Sequence, residues 1–247
     1  ILKLGGDAIL SLSVSRDGRR LASGGHNRCV HLWDLQPARF LELFEQFEVT
    51  VNAVAFSPNG SMLASGTDRV LGPTLCVRHL GGGDLMGLAR RSAGRPVWSL
   101  TFTPDGSALA VGWGSGIVEL IDLGGEHTLC ELPHLSGIAA LAFSPDGALL
   151  ATLSSNTVSI WDVEHQRLLR TLAEHTGRTW SVAFAPNGRC LATCGWDSTV
   201  RLWDADTGHE KGRFDWHLGK RINAVAFAPR MSSTSGPRLR FGVMLAL

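Results

Sequence analysis

The stretch Ala185-Pro-Asn-Gly-Arg-Cys-Leu-Ala-Thr-Cys-Gly-Trp-Asp-Ser-Thr-Val-Arg-Leu-Trp-Asp204 is the central part of the best copy of the unit from which this chain is built. It begins with a turn phrase whose Asn-Gly pair is typical of a tight hairpin between antiparallel strands. A strand that opens with Leu-Ala follows, and a second hairpin leads to a strand that closes on Trp-Asp. The alternation of side-chain types along these segments predicts short strands with two different faces.

The same unit recurs along the chain with a period of 41 to 46 residues between the turn glycines. An alternating strand precedes most of the turns, and a more polar segment follows the Trp-Asp, as expected of an outer strand with one face in water. Each period therefore predicts four short antiparallel strands. The turn phrase stands at residues 15–18, 57–60, 103–106, 144–147 and 185–188, and the closing strand ends at 32–34, 77–79, 120–122, 160–162 and 202–204.

A four-stranded sheet of this size cannot bury both of its faces alone, so each predicted sheet must stack on a neighbour with similar faces. Radial stacking would cover every sheet. The period of about 40 residues, the terminal Trp-Asp and the turn phrase together resemble the WD-repeat β-propellers. The resemblance runs from Ile1 to about Pro229 and implies an all-β propeller of four-stranded antiparallel blades, with five complete repeats and a partial, irregular sixth.

We predict a single WD-repeat propeller domain over residues 1–247. Ile1 to Leu4 could supply the outermost strand of the sixth blade, but the third strand of that blade would still be missing. Two alternatives stay open, an irregular six-bladed ring and a piece of a longer propeller, and the second is favoured because an open ring exposes sheet faces. The repeats span approximately residues 5–46, 47–92, 93–133, 134–174 and 175–217, with the partial sixth over 218–247.

The charge balance and the cysteines argue against several classes of partner. With 23 basic and 22 acidic side chains the formal net charge is +1, so we expect neither nucleic acid nor a membrane as a partner. The five cysteines include no C-x-x-C pair and no histidines at zinc-ligand spacing, so we expect no structural metal and no cofactor. We expect a cytoplasmic location, although the chain opens at Ile1 without a methionine and an upstream export signal stays open.

Repeat five is the best copy of the unit, and the resemblance implies a structural tetrad of His175, Thr193, Asp197 and Trp203 within it. A buried carboxylate and imidazole are costly unless they are paired, and an indole N–H needs an acceptor, so the four groups could satisfy one another. The other repeats have lost parts of this set. We therefore expect those blades to depend more on apolar packing.

No arrangement of residues in the sequence indicates catalysis. Residues 112–116 are rich in glycine, but they fall between two predicted strands and no Lys-Ser/Thr pair or helix follows. No G-x-S-x-G or H-E-x-x-H motif occurs, and the histidines at 134 and 175 already have structural roles in the resemblance. We therefore expect a protein that is not an enzyme.

In relatives of this kind, partners bind most often on the narrow face, where the first strand of each blade begins and the hairpin between the second and third strands ends. Tryptophan and arginine dominate the hot spots of protein interfaces, so a rim that carries both predicts a scaffold for a protein or peptide partner. We expect the chain to be monomeric unless it is part of a longer one. The resemblance places on this rim Trp98, Trp180, Trp196, Arg178, Arg221, Asn52 and Asn223.

Other interpretations of the same residues stay open. Trp98 and Trp180 could instead cap a central channel or pack between blades, because tryptophan is usually mostly buried. Trp196 fits that alternative less well, since it lies at a Gly-Trp-Asp hairpin tip. For the whole chain, the alternatives are a regulatory or sensor module of a larger signalling protein and, less favoured, a ligand-binding or enzymatic propeller.

Overall fold

The computed structural model describes residues 7–68, 74–80, 85–90, 95–173, 175–215 and 221–227. In these residues the regular structure consists of five four-stranded antiparallel sheets, and neighbouring strands in each sheet are consecutive in the chain. The prediction of an all-β fold built from four-stranded repeats is confirmed. In the described ranges no helix is long and apolar enough to cross a membrane.

The chain divides into two compact units, Ile1–Pro133 and His134–Leu247. Each sheet lies within one of the predicted repeats, while the single domain over residues 1–247 stays a prediction. The first unit holds three sheets. Sheet 1 contains β1 (Ile9–Val14), β2 (Arg20–Gly25), β3 (Cys29–Leu35) and β4 (Ala38–Gln46), and sheet 2 contains β5 (Val51–Phe56), β6 (Met62–Thr67), β7 (Leu75–His79) and β8 (Leu85–Arg90). Sheet 3 contains β9 (Val97–Phe102), β10 (Ala108–Trp113), β11 (Ile117–Asp122) and β12 (Thr128–Pro133).

The second unit holds the remaining two sheets. Sheet 4 contains β13 (Ile138–Phe143), β14 (Leu149–Ser154), β15 (Thr157–Asp162) and β16 (Arg167–Leu172), and sheet 5 contains β17 (Thr179–Phe184), β18 (Cys190–Gly195), β19 (Thr199–Asp204) and β20 (Glu210–Asp215). Residues 221–227 follow without regular structure. Ile1 to Leu4 and residues 228–247, which the predicted sixth blade needs, lie outside the described residues.

The turn phrase closes the first hairpin of every sheet with a backbone hydrogen bond from the turn glycine, and in sheets 1 to 4 a Ser or Thr hydroxyl adds a side-chain bond. In sheet 1, the Ser15 hydroxyl donates to Asp17 Oδ1 at 2.6 Å and the Gly18 N–H donates to the Ser15 carbonyl at 2.9 Å. Gly18 has a φ of 70°, in the left-handed region that glycine tolerates best. The hydrogen bond from Ser15 holds the pKa of the Asp17 carboxyl below its ordinary value. The repeated motif is therefore a repeated turn geometry.

In the first unit, neighbouring sheets pack face to face. Ala22, Val30 and Leu32 of sheet 1 contact Val51, Val54 and Leu63 of sheet 2 in one buried cluster. The sheets approach so closely that a Cβ at Gly24 would lie 2.5 Å from the Val51 side chain. Serine hydroxyls of β1 also accept hydrogen bonds from backbone N–H groups of β5. The Val54 N–H donates to Ser11 Oγ at 3.0 Å, and the Phe56 N–H donates to Ser13 Oγ at 3.0 Å. Apolar packing and backbone contacts thus join successive repeats.

In the second unit, the segment 221–227 packs against the last sheet. Ile222 and Val225 are buried in a cluster with Ala192, Cys194 and Val200 of sheet 5. The Val225 N–H donates to the Ser181 hydroxyl at 3.3 Å, the kind of contact that β5 makes with β1 in the first unit. This segment therefore contacts sheet 5 as the inner strand of a following repeat would, although it is not itself a strand.

One face of sheet 1 is apolar and exposed. Ser11 and Ser13 bond to β5, so the alternating residues Leu12 and Val14 point away from sheet 2. They are 44% and 53% exposed, and the outer strand β4 adds Phe40 at 48%. Among the described residues, sheet 1 therefore has one face packed against sheet 2 and exposed apolar side chains on the other.

Candidate functional site

The structure brings the four residues of the predicted tetrad together in sheet 5. Trp203 Nε1 donates to Thr193 Oγ1 at 2.9 Å, and Thr193 Oγ1 lies 2.7 Å from His175 Nε2. His175 Nδ1 lies 2.8 Å from Asp197 Oδ2. One consistent direction of donation runs from the indole through the hydroxyl and imidazole to the carboxylate. The indole, hydroxyl, imidazole and carboxylate of the tetrad thereby each have a partner within it.

Burial and hydrogen bonding shift the pKa values of the two titratable members. Burial lowers the pKa of the His175 imidazole below its ordinary value of 6.5, although the neighbouring Asp197 opposes this. Burial alone would raise the pKa of the Asp197 carboxyl, but hydrogen bonds from His175 and Thr199 outweigh it and hold that pKa below its ordinary value. Neutral imidazole and ionised carboxylate are therefore the stable forms near neutral pH.

Sheets 1 and 4 retain parts of the same network. In sheet 1, Trp33 Nε1 donates to the Ser23 hydroxyl at 3.0 Å. In sheet 4, Trp161 Nε1 donates to Thr152 Oγ1 at 3.1 Å, and His134 Nε2 lies 2.6 Å from the same oxygen. The indole contact is thus the part of the tetrad that these repeats keep.

Sheet 2 replaces the tryptophan with an ion pair. In the strand register of sheet 2, Arg78 lies opposite Leu63. Trp203 holds the equivalent position in sheet 5, where it lies opposite Leu191. The Arg78 guanidinium lies 2.9 Å from the carboxylate of Glu45, which comes from the outer strand of sheet 1. Glu45 also accepts from the Ser65 hydroxyl at 3.0 Å.

The third sheet uses another carboxylate, Glu119, which accepts from Trp113 Nε1 at 3.1 Å and from the Thr128 hydroxyl at 2.5 Å.

The sequence led us to expect that the degenerate repeats depend more on apolar packing, and these contacts show that this expectation is incomplete. Those sheets do pack through apolar residues, but they also contain buried polar networks of their own. The network in sheet 2 joins residues 33 positions apart, and no local pattern in the sequence marks it.

Four of the predicted rim residues form one contact group in the second unit. The ring centroids of Trp180 and Trp196 are 5.6 Å apart, and the rings meet edge to face at 75°. The Cζ of Arg178 lies 4.6 Å from the centroid of Trp180, and the Cζ of Arg221 lies 3.9 Å from the centroid of Trp196. Both distances are in the range of cation–π contacts. We call Arg178, Trp180, Trp196 and Arg221 the aromatic–arginine cluster.

Backbone contacts hold the cluster in place. The Trp196 N–H donates to the Arg178 carbonyl at 2.9 Å, which ties the tip of the β18–β19 hairpin to the residue before β17. The Ile222 N–H donates to the Gly195 carbonyl at 3.1 Å and brings Arg221 to the same tip. Glycine is needed at 195, because a Cβ there would lie 2.7 Å from the Arg178 carbonyl oxygen. Three chain segments therefore converge on two rings.

Both arginines of the cluster are exposed and both tryptophans are half-buried. Trp196 is thus neither free in solvent nor part of the core, and its indole Nε1 is buried with no hydrogen-bond partner in the described part of the chain. Asn223, the fifth predicted rim residue in this unit, is half-buried, and its Oδ1 likewise lacks a partner there.

The two remaining predicted rim residues, Asn52 and Trp98, belong to the first unit. Trp98 is 37% exposed at the start of β9. The Asn52 side chain donates through Nδ2 to the Val97 carbonyl at 3.0 Å, so it links sheets 2 and 3. That these two residues share one rim with the cluster stays a prediction.

Part of the cluster is recognisable from the sequence alone. Arg178 and Trp180 are two positions apart, the spacing that puts side chains on one face of an extended segment. The contact of Arg221 with Trp196 joins residues far apart in the chain, and sequence reasoning missed it.

Among the described residues, no group of three or more His, Cys, Asp or Glu side chains could hold a metal ion.

Comparison with known proteins identifies the repeat. The family pattern described as "WD domain, G-beta repeat" matches residues 2–34, 41–71, 127–162 and 166–204. The chain belongs to the WD-repeat family. The matched segments leave out most of sheet 3, although that sheet has the same four-stranded order as the others.

The WD-repeat chain is similar to parts of longer proteins. It is 26% identical over 234 residues to the transcriptional corepressor LEUNIG_HOMOLOG of Arabidopsis thaliana, covering 90% of this chain and 27% of that protein. It is 30% identical over 218 residues to protein HIR1 of Cryptococcus neoformans, covering 87% of this chain and 22% of that protein. It is 33% identical over 122 residues to the COMPASS component SWD3 of Saccharomyces cerevisiae, covering 48% of this chain and 38% of that protein.

Proposed function

We propose that this WD-repeat chain is a non-catalytic scaffold that binds a partner protein or peptide, and that the aromatic–arginine cluster is its binding site. The observation that carries the proposal is the stacking of two exposed arginines on two half-buried tryptophans at one hairpin tip. Tryptophan and arginine are enriched among the few residues that supply most of the binding energy in protein interfaces. Side chains that are already ordered lose less conformational entropy when a partner binds.

The relatives support a role in protein assemblies. SWD3 is named as a component of COMPASS, and LEUNIG_HOMOLOG is named as a corepressor. The chain spans only about a quarter of the length of LEUNIG_HOMOLOG and of HIR1, so their partners are not transferred to it. What is common to them is the repeat, and the proposal for this chain rests on its own cluster.

The test is capture of partners by a variant that loses half of the cluster. Trp196→Ala combined with Arg178→Ala removes one ring and one guanidinium, and we expect this protein to lose the partners that the wild type retains from a lysate of its source cells. The matched control changes Arg167 and Arg189, which are exposed in the same unit, to Ala. Both variants should melt as the wild type does. Undiminished capture by the Trp196/Arg178 variant would place the binding site elsewhere.

A second candidate is a regulatory or sensor module inside a larger signalling protein. The low coverage of the relatives' length, 27% and 22%, favours it because in those proteins the matched region is only a part. Sequencing the gene beyond both ends of this chain distinguishes it from a free-standing scaffold.

The cytoplasmic location remains a proposal. Fractionation of cells, followed by detection of the protein with an antibody, would test it.

A further inference from the structure

We propose that the aromatic–arginine cluster selects an acidic peptide segment of its partner, with carboxylates bound by Arg178 and Arg221 and apolar side chains bound on the tryptophan edges. This inference rests on the proposed function of the same site and adds the chemistry of the ligand.

The first support is the charge of the cluster. Neither Arg178 nor Arg221 is paired with a carboxylate among the residues that the structure describes. Other arginines of the described chain do have such partners, since Arg78 lies 2.9 Å from Glu45 and Arg201 lies 2.6 Å from Glu210. Two uncompensated positive charges at one hairpin tip attract an anionic group and repel a cationic one.

The acidic residue that follows Trp196 in the sequence does not neutralise the cluster. Asp197 directly follows Trp196, but its carboxylate accepts hydrogen bonds from Thr199 at 2.9 Å and from the Thr176 N–H at 3.2 Å, and it lies 2.8 Å from His175. Only 5% of this side chain is exposed. The carboxylate is therefore committed to the tetrad, and the positive charge of the two arginines remains available to a ligand.

The second support is that the ring faces are already occupied. Aromatic rings at binding sites often receive a lysine or arginine of the partner through a cation–π contact. Here each tryptophan has one of the chain's own guanidinium groups over it, at 4.6 Å for Trp180 and 3.9 Å for Trp196. A basic side chain would have to displace a guanidinium and then remain beside the other. The same stacking hinders bases of a nucleic acid, which bind single strands by stacking on free aromatic faces.

The third support is the geometry of the donors. A guanidinium that stacks on a ring keeps the N–H groups at its edge directed outward, and a planar pair of such donors matches a carboxylate. Because both arginines are exposed, these donors are within reach of a ligand. The half-buried rings offer apolar edges beside them. A segment in which acidic residues alternate with apolar residues would use both features.

The experiment is selection of a displayed library of random dodecapeptides on the purified full chain. We expect the peptides retained by the wild type to be enriched in Asp and Glu relative to the unselected library. The enrichment should disappear on the variant Arg178→Glu/Arg221→Glu and persist on the control variant Arg167→Glu/Arg189→Glu. If the charge-reversed variant does not fold, Arg178→Gln/Arg221→Gln serves in its place.

A recovered acidic peptide then gives a quantitative measure. Its fluorescein-labelled form should bind the wild type at least about tenfold more tightly than the same peptide with Lys in place of Asp and Glu, a difference of about 1.4 kcal/mol. Retained peptides without acidic enrichment, equal enrichment on the charge-reversed variant, or no retained peptide would overturn the inference. Tighter binding of a labelled single-stranded DNA than of the acidic peptide would overturn it in favour of a nucleic acid.

The inference and the proposed function can fail separately. If the Trp196/Arg178 variant loses its lysate partners while the library shows no acidic preference, the site is a binding site and only its assigned ligand class is wrong. If that variant keeps its partners, the proposed function fails first.

Discussion

Asp197 connects two parts of the second unit, because its carboxylate belongs to the tetrad and its backbone follows Trp196 of the aromatic–arginine cluster. Replacing it with Ala leaves the His175 imidazole and the Thr199 hydroxyl without their shared acceptor. We expect Asp197→Ala to lower the free energy of unfolding by about 1 to 3 kcal/mol and to lower the melting temperature.

Differential scanning calorimetry measures this change, and Asp206→Ala provides the control because Asp206 is exposed. A melting curve of Asp197→Ala that coincides with the wild-type curve would remove the tetrad from the account of stability.

The pKa of His175 predicts a dependence of stability on pH. Burial keeps the pKa of its imidazole below the ordinary 6.5, so below that pH the unfolded chain binds a proton that the folded chain does not. The stabilisation is therefore complete above about pH 6.5 and declines as the pH falls. The lowered pKa of Asp197 adds a further loss as the pH falls below 3.8.

We expect the urea midpoint of the wild type to decrease between about pH 7.5 and about pH 5.5, and we expect His175→Gln to show a smaller decrease. His209 provides the matched control because it is also exposed, and we expect His209→Gln to keep the wild-type dependence. Equal pH dependence in all three proteins would contradict the assigned role of the imidazole.

At the scale of elements, the contact of β4 with β7 shows how a degenerate repeat is stabilised. The Glu45 side chain is 8% exposed and the Arg78 side chain 29%, so breaking the pair leaves a partly desolvated charge unpaired. We expect Glu45→Gln and Arg78→Met each to destabilise the protein, and the double variant to be less destabilised than the sum of the two.

A double-mutant cycle on urea unfolding measures the coupling, which should be about 1 kcal/mol in favour of the pair. Additivity of the two single changes would show that the ion pair does not join the sheets energetically.

The exposed apolar side chains of sheet 1 predict concentration-dependent association. Leu12 and Val14 are 44% and 53% exposed on a face that the second sheet does not cover, and exposed apolar patches favour association. The sequence predicts a monomer, and we expect the monomer to predominate only at low protein concentration. The average mass from analytical ultracentrifugation should rise with concentration for the wild type and remain constant for Leu12→Lys/Val14→Lys.

Leu129→Lys is the control for this experiment, because Leu129 is 43% exposed on the outer strand of sheet 3. Association that is equal in all three proteins would show that the face of sheet 1 is not responsible.

At the scale of the whole molecule, the predicted single domain can be tested against the two compact units. A single domain entails one cooperative unfolding transition for the chain, and Asp197→Ala should then shift that entire transition. Two transitions, of which only one moves in the variant, would show that residues 1–133 and 134–247 unfold independently. Calorimetry of the wild type and the variant distinguishes the two outcomes.

Much of the fold was predictable because its determinants are local and repeated. The turn glycines, the alternating strands and the closing Trp-Asp act within one repeat, so they predict a four-stranded sheet wherever they recur. The tetrad was predictable for the same reason, since His175 and Trp203 occupy positions that the family pattern specifies. Even sheet 2, whose third strand has lost its Trp-Asp, keeps the strand order because the spacing is preserved.

The repeating sheet, its turns and the membership of the WD-repeat family thus follow from the amino-acid sequence alone. Three other features emerge only in the folded chain: the contact of Arg221 with Trp196, the ion pair of Glu45 with Arg78, and the exposed apolar side chains on one face of sheet 1. These features depend on distances between residues of different repeats, and periodicity within a repeat does not encode such distances. The proposed binding chemistry belongs to this second group, because it requires three segments of chain to converge on two rings.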